Sequence, residues 1–394
     1  MKPFEIANGI YSVGVADFNI RDFHGYSTEA GTTYNAFLII DEKIALIDTV
    51  KAEFGDELLA NISEIIDPKK IDIVISNHTE MDHSGSLPRV MHYIGEDKPL
   101  YCSKMGKKNL SAHFSQPWNL HAVENGEELS LGARTLMFIE TRMLHWPDSM
   151  FTYVKEDEIL FSSDAFGQHY AGHEHYDDVL GDMAMFEAKK YYANILMLYA
   201  PQTLKLLENV SDSGLSFKMI CPDHGVIWRS GIASIIDAYR RWSSHETDKK
   251  AVVVYDTMWK STRKMAEAIA DGISATGTKV SVIHIRSSHR SDIMTEVIDS
   301  RAVVVGSPTL NNCMFPTVAD VLTYMKGLRP KNRIGAAFGS YGWSGEAVRQ
   351  IIGELSAMGM DILDDGLKVK YVPGKDILRD CFEYGKKIGA AVCE

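Results

Sequence analysis

The stretch Ser76-Asn-His-Thr-Glu-Met-Asp-His-Ser-Gly85 sets two imidazoles and two carboxylates within six positions: His78, Glu80, Asp82 and His83. The run before it, Ile71-Asp-Ile-Val-Ile75, is β-branched and apolar and predicts a buried strand. The ionisable groups then fall on the loop past that strand's C-terminal end, where α/β sheets build their sites. Ser84-Gly-Ser86 predicts a turn into a helix. Four such side chains packed this closely are costly to bury without a cation. A metal supplies one, taking neutral His and ionised Asp or Glu as ligands. An exposed polar loop accounts for one His and one Asp, but not for this density.

Working outward, three more short runs end at a potential ligand. His145 lies in Met143-Leu-His-Trp-Pro-Asp-Ser149, Asp164 in Phe161-Ser-Ser-Asp-Ala165, and His224 in Ile220-Cys-Pro-Asp-His-Gly225. One His past a strand is ordinarily a polar end-cap. Together with the dense loop these positions make seven candidates, enough for two metals sharing one carboxylate.

The chain has 394 residues, too many for one ordinary core, so two domains are expected. Apolar content of 45% and charged content of 24% fit a globular protein. No apolar run approaches a membrane span, and the N-terminus lacks a basic-then-apolar leader pattern, so a cytoplasmic location away from membranes is expected. The five cysteines form no CxxC pair, which leaves no zinc-ribbon, iron–sulfur or rubredoxin-type site. Net charge is −12, which argues against a nucleic-acid partner. Residues 1–248 hold 21 Lys/Arg and 37 Asp/Glu (−16), and residues 249–394 hold 20 and 16 (+4). Halves of opposite sign attract one another or different partners.

The break is expected in the polar stretch 240–250, giving domains 1–248 and 249–394. In the first, strand-like runs at 33–40, 44–49, 71–76, 134–140, 150–154 and 159–162, with helices at 53–66 and 87–94, predict sheets covered by helices. In the second, strands at 251–255, 279–285, 302–306 and 334–339 alternate with helices near 261–275, 316–327 and 345–358. That alternation predicts a doubly wound parallel sheet.

Three loops of the second half sit past strand ends. Asp256-Thr-Met-Trp-Lys-Ser-Thr262 opens a helix, and hydroxyls with backbone N–H groups at a helix start make an anion pocket. It has neither GxGxxG nor GxxxxGK[ST]. It resembles the flavodoxin phosphate loop, without that loop's usual inner glycine. Thr257, Met258, Trp259, Ser261 and Thr262 are its candidate binding residues. Val305-Gly-Ser-Pro-Thr-Leu-Asn-Asn312 contributes Pro308, Thr309 and Asn311. Phe338-Gly-Ser-Tyr-Gly-Trp-Ser-Gly-Glu346 contributes Ser340, Tyr341, Gly342 and Trp343. Glycine permits close approach, and Trp259, Tyr341 and Trp343 offer flat faces to a flavin ring. A single phosphate pocket points to FMN rather than FAD.

The frame HxxxDH followed by isolated His, Asp and His resembles the metallo-β-lactamase fold, whose hydrolases usually carry HxHxDH and bind zinc. Here Glu80 takes the second position, which makes the site harder and more anionic and moves it towards iron or manganese. Joined to a flavodoxin-like half, His-x-Glu-x-Asp-His is similar to the flavodiiron proteins. Met143–Met150, Ser163–Gln168 and Asp223–Arg229 also look like that family. The resemblance implies an αββα sandwich followed by a flavodoxin-like domain, FMN, and two non-haem irons. One iron would take His78, Glu80 and His145, the other Asp82, His83 and His224, with Asp164 bridging. It suggests that His24 and Tyr192 donate hydrogen bonds at the open face. His169, His173 and His175 are expected at the loop surface, since the seven-ligand set is already complete.

The implied activity is reduction of O2 to water, of NO to N2O, or both. Electrons would come from an external donor, rubredoxin or a reduced deazaflavin. A head-to-tail homodimer, or a dimer of such dimers, would set the flavin of one chain against the irons of the other. The rival readings are a dizinc hydrolase with an accessory flavodoxin domain, against which Glu80 argues, and an electron-transfer flavoprotein with a vestigial metal site, against which seven filled positions argue.

Overall fold

The computed structural model describes residues 1–393. They form two compact units, one of Met1–Phe23, Thr28–Tyr192 and Pro201–Arg240, the other of His24–Ser27, Ala193–Ala200 and residues 241–393. No helix among the described residues is long and apolar enough to cross a membrane.

The first unit holds a seven-stranded and a five-stranded sheet. Alternate residues of Phe37–Ile39, Ala45–Ile47 and Ile73–Ser76 point to opposite faces. Phe37, Ile39, Ile47, Ile73 and Ile75 therefore meet Leu136, Phe138, Met150, Val154 and Phe161 of the other sheet in one buried core. Leu38, Leu46 and Val74 face the opposite way, into a second core with the helices Gly55–Ser63 and Leu87–Ile94. Every residue of Ile73–Ser76 is buried, so both faces of that strand are covered and it reads as a continuous apolar run.

Two expectations change here. The span expected as one strand, 33–40, is two, Thr32–Tyr34 and Phe37–Ile39, because the chain leaves one sheet for another. Asn35 makes the transfer, its N–H donating to Asp223 O at 2.7 Å and its side chain to Pro222 O at 2.8 Å. The dense loop is also more ordered than expected. Met81–Ser84 forms one helical turn, with His83 N–H donating to Glu80 O at 3.0 Å.

In the second unit five parallel strands run in the order Lys279–His284, Asp248–Tyr255, Ser300–Gly306, Ile334–Tyr341, Asp361–Ile362. By chain order this is 2-1-3-4-5, the flavodoxin-like winding, whose switch point lies between Asp248–Tyr255 and Ser300–Gly306. Leu367–Lys370 adds a further parallel pairing to Ile334–Tyr341, which the sequence reading left out. The helix Ser261–Ser274 is seated by a glycine crossing. A Cβ on Gly272 would meet Phe382 O, and one on Gly385 would meet Ile269 O, at 2.0 Å each. Only bare backbones can lie that close. The stretch 240–250 is mostly ordered: one helix ends at Ser243 and the first strand starts at Asp248.

Candidate metal centre and flavin site

The strand Ile73–Ser76 and the helical turn after it carry His78, Glu80, Asp82 and His83 to one edge of the sandwich. Loops after other strands bring His145, Asp164 and His224. The seven fall into two groups, His78, Glu80, His145 and Asp164 on one side and Asp82, His83 and His224 on the other. Glu80 Oε2 lies 3.3 Å from His78 Nε2 and 3.0 Å from His145 Nε2. Asp82 Oδ2 lies 3.2 Å from both His83 Nε2 and His224 Nε2. Asp164 borders both groups: Oδ2 is 3.3 Å from His78 Nε2, and Oδ1 is 3.2 Å from His83 Nε2.

Burial would raise the carboxyl pKa values, but the surrounding imidazoles outweigh it. Glu80 is brought down to about 2, and Asp82 and Asp164 lie well below the usual carboxylate range. Burial would likewise lower His78, His83 and His145, yet their carboxylate neighbours raise all three. Divalent cations would displace protons held this way. Asp82 Oδ1, His83 Nε2 and Asp164 Oδ1 are buried without an aligned hydrogen-bond partner, the last two although only 3.2 Å apart, as expected of atoms aimed at a metal. The donor set, four imidazoles with three carboxylates, fits two hard-to-borderline cations.

Outer contacts orient the rings. His224 Nδ1 donates to Thr33 O at 2.6 Å, which leaves Nε2 as the free lone pair. His78 Nδ1 sits 3.2 Å from Asp148 Oδ2. Asp148 also accepts from Thr79 N–H at 2.7 Å and Asn109 Nδ2 at 3.0 Å. Against the cost of burial, His78 and then Thr79 hold its carboxyl below the usual range.

The second unit encloses a cavity of about 540 Å³. Ten of the twelve predicted binding residues line it: Met258, Trp259 and Ser261; Pro308, Thr309 and Asn311; Ser340, Tyr341, Gly342 and Trp343. The other two, Thr257 and Thr262, lie outside the lining. Thr262 Oγ1 is 2.9 Å from Ser340 Oγ, and Thr257 Oγ1 is buried with no hydrogen-bond partner. The helix Ser261–Ser274 begins without a side-chain cap, so its first amides are available to an anion. Trp259 and Trp343 are each 90% exposed on the rim. These features fit a flavin phosphate in the loop with its ring against the aromatics.

Family models match both units: the "ODP family beta lactamase" over residues 32–225 and flavodoxin over residues 253–385. A nitric oxide reductase of Moorella thermoacetica is 46% identical, covering 100% of each chain. The solved rubredoxin oxygen:oxidoreductase of Desulfovibrio gigas superposes with a TM-score of 0.97 at 42% identity, over 100% of this chain and 99% of that one. This chain belongs to the flavodiiron proteins. The flavodiiron protein of Giardia intestinalis matches with a TM-score of 0.96 at 37% identity, over 100% of this chain and 97% of that one.

Within this flavodiiron chain other residues singled out in the sequence surround the ligand groups at varying depth. His24 is exposed between the strands Asp22–Phe23 and Tyr26–Ser27 and belongs to neither metal-binding group. Tyr192 is fully buried with its ring 4.9 Å from Tyr239. Its neighbour Tyr191 lies 5.9 Å, ring to ring, from His224, and burial and then Asp164 raise its hydroxyl pKa. Adjacent helical residues point about 100° apart, and sequence alone does not say which of two tyrosines faces the cluster. His169 is not loop surface. It is 1% exposed, with Nδ1 2.9 Å from Thr32 Oγ1 and its ring 5.0 Å from His224. Gln168 draws the loop inward by bonding Phe166 O at 2.6 Å and Val226 N–H at 2.7 Å. His173 is exposed as expected, whereas His175 is partly covered and stacks on Phe4.

The flavodiiron chain also has site residues that sequence reasoning missed. Tyr371 and Val372, past the added strand Leu367–Lys370, form a fourth wall of the cavity. Asp256 is buried at the start of the loop 256–262, accepting from Thr257 N–H at 2.6 Å and from Arg286 Nε at 3.1 Å. The one available signal was its position at the end of the first strand.

Proposed function

We propose that this flavodiiron protein takes electrons from an external carrier and delivers them to dioxygen, nitric oxide or both, yielding water or nitrous oxide. The observation that carries this is Asp164, whose two oxygens face two separate ligand groups in a chain that also holds a flavin cavity. When bound, FMN relays electrons and the two non-haem irons supply the redox chemistry of gas reduction. His78, Glu80 and His145 would hold one iron and Asp82, His83 and His224 the other, with Asp164 shared. Thr257, Ser261 and Thr262 would hold the flavin phosphate, and Tyr341 and Trp343 would flank the ring. The sandwich core keeps bulk water from His78, His83, Asp164 and His224, which are at most 1% exposed. Asp148 and the Thr33 carbonyl occupy Nδ1 of two imidazoles, so that Nε2 of each would be free to hold a metal. Relatives named as nitric oxide reductase and as rubredoxin-oxygen oxidoreductase support an oxidoreductase over a dizinc hydrolase.

The finer reading divides the chain into a metal half, 1–248, and a flavin half, 249–394, and places the protein in the cytoplasm. It takes rubredoxin as the donor and a head-to-tail homodimer as the working form, the −16 half of one copy docking against the +4 half of the next. The deciding experiment is anaerobic turnover of the reduced protein with each gas, alongside iron and flavin quantitation. Two irons and one FMN per chain with turnover of either gas are expected. Two zincs with hydrolase activity would overturn the reading. For the dimer, a chain lacking His78 and His83 is mixed with one unable to bind FMN. Restored activity in the heterodimer supports cross-chain transfer, and none in formed heterodimers refutes it.

A further inference from the structure

The two ligand groups are not equally built. Each has three ligands of its own and shares Asp164, whose Oδ2 lies 3.3 Å from His78 Nε2 and Oδ1 3.2 Å from His83 Nε2. The difference lies in the support behind them. His78 is backed by the Asp148 carboxylate, Nδ1 to Oδ2 at 3.2 Å. That oxygen is fixed by Thr79 N–H at 2.7 Å and Thr79 Oγ1 at 2.8 Å. The other oxygen is fixed by Asn109 Nδ2 at 3.0 Å, and the Asp148 carbonyl by Ser103 Oγ at 2.7 Å. Asp148 is thus tied to the loop of the ligands, to the helix Lys104–Phe114 and to the strand Pro99–Ser103.

The second group has no equivalent. His83 Nδ1 lies 3.7 Å from Asp223 Oδ2, beyond hydrogen-bond reach, and neither Asp223 oxygen has a hydrogen-bond partner. His224 is oriented by a neutral carbonyl, Thr33 O. An imidazole that donates to a carboxylate is fixed in tautomer and made more basic at its other nitrogen. A charged acceptor does this more strongly than a neutral one.

We propose that Asp148, as a positioning residue, makes the Glu80 position the tighter of the two metal positions, so that the metals load and leave in a fixed order. The inference rests on the two-metal reading above. Its test needs no turnover. The full-length ferrous protein, carrying two irons per chain, is mixed anaerobically with an excess of a ferrous chelator, and absorbance of the chelate reads release. Two phases of one iron each are expected, at rates at least about tenfold apart. Asp148→Asn should speed the slow phase by about 10- to 100-fold and leave the fast phase unchanged. Asn109→Ala, a gentler change at the same carboxylate, should speed it in the same direction by less. Asp223→Asn should leave the slow phase as it is, and Asp82→Ala should remove the fast phase. Release of both irons from the parent at one rate would overturn the proposal. So would a slow phase unmoved in both Asp148→Asn and Asn109→Ala. Fewer than two metals at the start would instead count against the two-metal reading.

Discussion

Asp164 Oδ2 lies 3.0 Å from His145 Nε2. The same carboxylate turns Oδ1 to His224 Nε2 at 3.4 Å, so it has one oxygen for each ligand group. Asp164→Ala should therefore leave at most one metal per chain. Asp164→Asn keeps one oxygen and should keep one metal. Turnover of both gases should fall by about 100-fold or more in each variant. Metal analysis with anaerobic gas kinetics checks this, and two irons with parental rates in both variants would remove Asp164 from the centre.

The loop proposed to hold the flavin phosphate has a buried hydroxyl without a partner, Thr257 Oγ1, and a paired one, Thr262 Oγ1 with Ser340. Replacing a hydroxyl that bonds a charged group costs about 1.5–3 kcal/mol. Thr262→Ala should thus weaken FMN by about 10- to 100-fold, and the Thr257→Ala, Thr262→Ala double variant by more. Flavin fluorescence titration measures it. Unchanged affinity in the double variant would place the phosphate elsewhere.

What was legible in the sequence follows a physical division. The seven ligand candidates could be read because four crowd one loop past a single apolar run and the other three each follow a short run of their own. The doubly wound parallel sheet could be read, though not its strand order or its short fifth strand Asp361–Ile362, because parallel strands buried on both faces are apolar throughout, as Ala251–Tyr255 is. What could not be read depends on neighbours distant in sequence. Asp148 reaches His78 across 70 positions, and nothing local distinguishes it from a turn aspartate. His169 is buried because Gln168 bonds Val226, 58 positions on. Tyr371 reaches the cavity only because Leu367–Lys370 pairs with Ile334–Tyr341, and Leu367-Lys-Val-Lys370 alone is too short and charged to declare a strand.

His245 carries a pH dependence. It is 8% exposed, and burial, followed by the charges of Arg333 and Lys331, pushes its imidazole down to about 4. In the unfolded chain the pKa is about 6.5. Between these values the unfolded state binds a proton that the folded state refuses, so stability falls as pH falls through that window. With solvent screening allowed for, the loss from pH 7 to 5 is roughly 1 kcal/mol. His245→Gln should flatten this part of the profile. Urea unfolding at the two pH values reads the difference, and an equal loss in parent and variant would exonerate His245.

Arg333 is 1% exposed and donates only to main-chain carbonyls, among them Val297 O at 3.2 Å, Ile298 O at 2.5 Å and His245 O at 3.2 Å. It joins the end of the helix Arg290–Val297 to the segment entering the first strand of the flavin unit. Arg333→Met leaves several buried acceptors unpaired, each costing about 1–3 kcal/mol. The variant should lose about 3 kcal/mol or more, and Arg333→Lys somewhat less. Denaturant melts check it, and a loss below about 0.5 kcal/mol in Arg333→Met would mean that water replaces the guanidinium.

Glu80 stands where the zinc hydrolases of this fold usually have histidine, and its Oε2 lies 3.0 Å from His145 Nε2. With Asp164 it gives the first ligand group two carboxylates to two imidazoles. Glu80→His leaves one carboxylate to three imidazoles, a softer and less anionic set that suits zinc better than iron. The other group keeps its ligands, so the change should be confined to one position. Protein produced with iron and zinc both supplied should then hold about one zinc and one iron, where the parent holds two irons. Zinc does not change oxidation state, so gas reduction should fall by about 100-fold or more while FMN content stays at the parental level. Glu80→Asp keeps the carboxylate but shortens its reach, and should retain iron with reduced occupancy. Metal analysis and flavin absorbance on the same samples separate these outcomes. Two irons and parental turnover in Glu80→His would show that the second position of the frame does not select the metal.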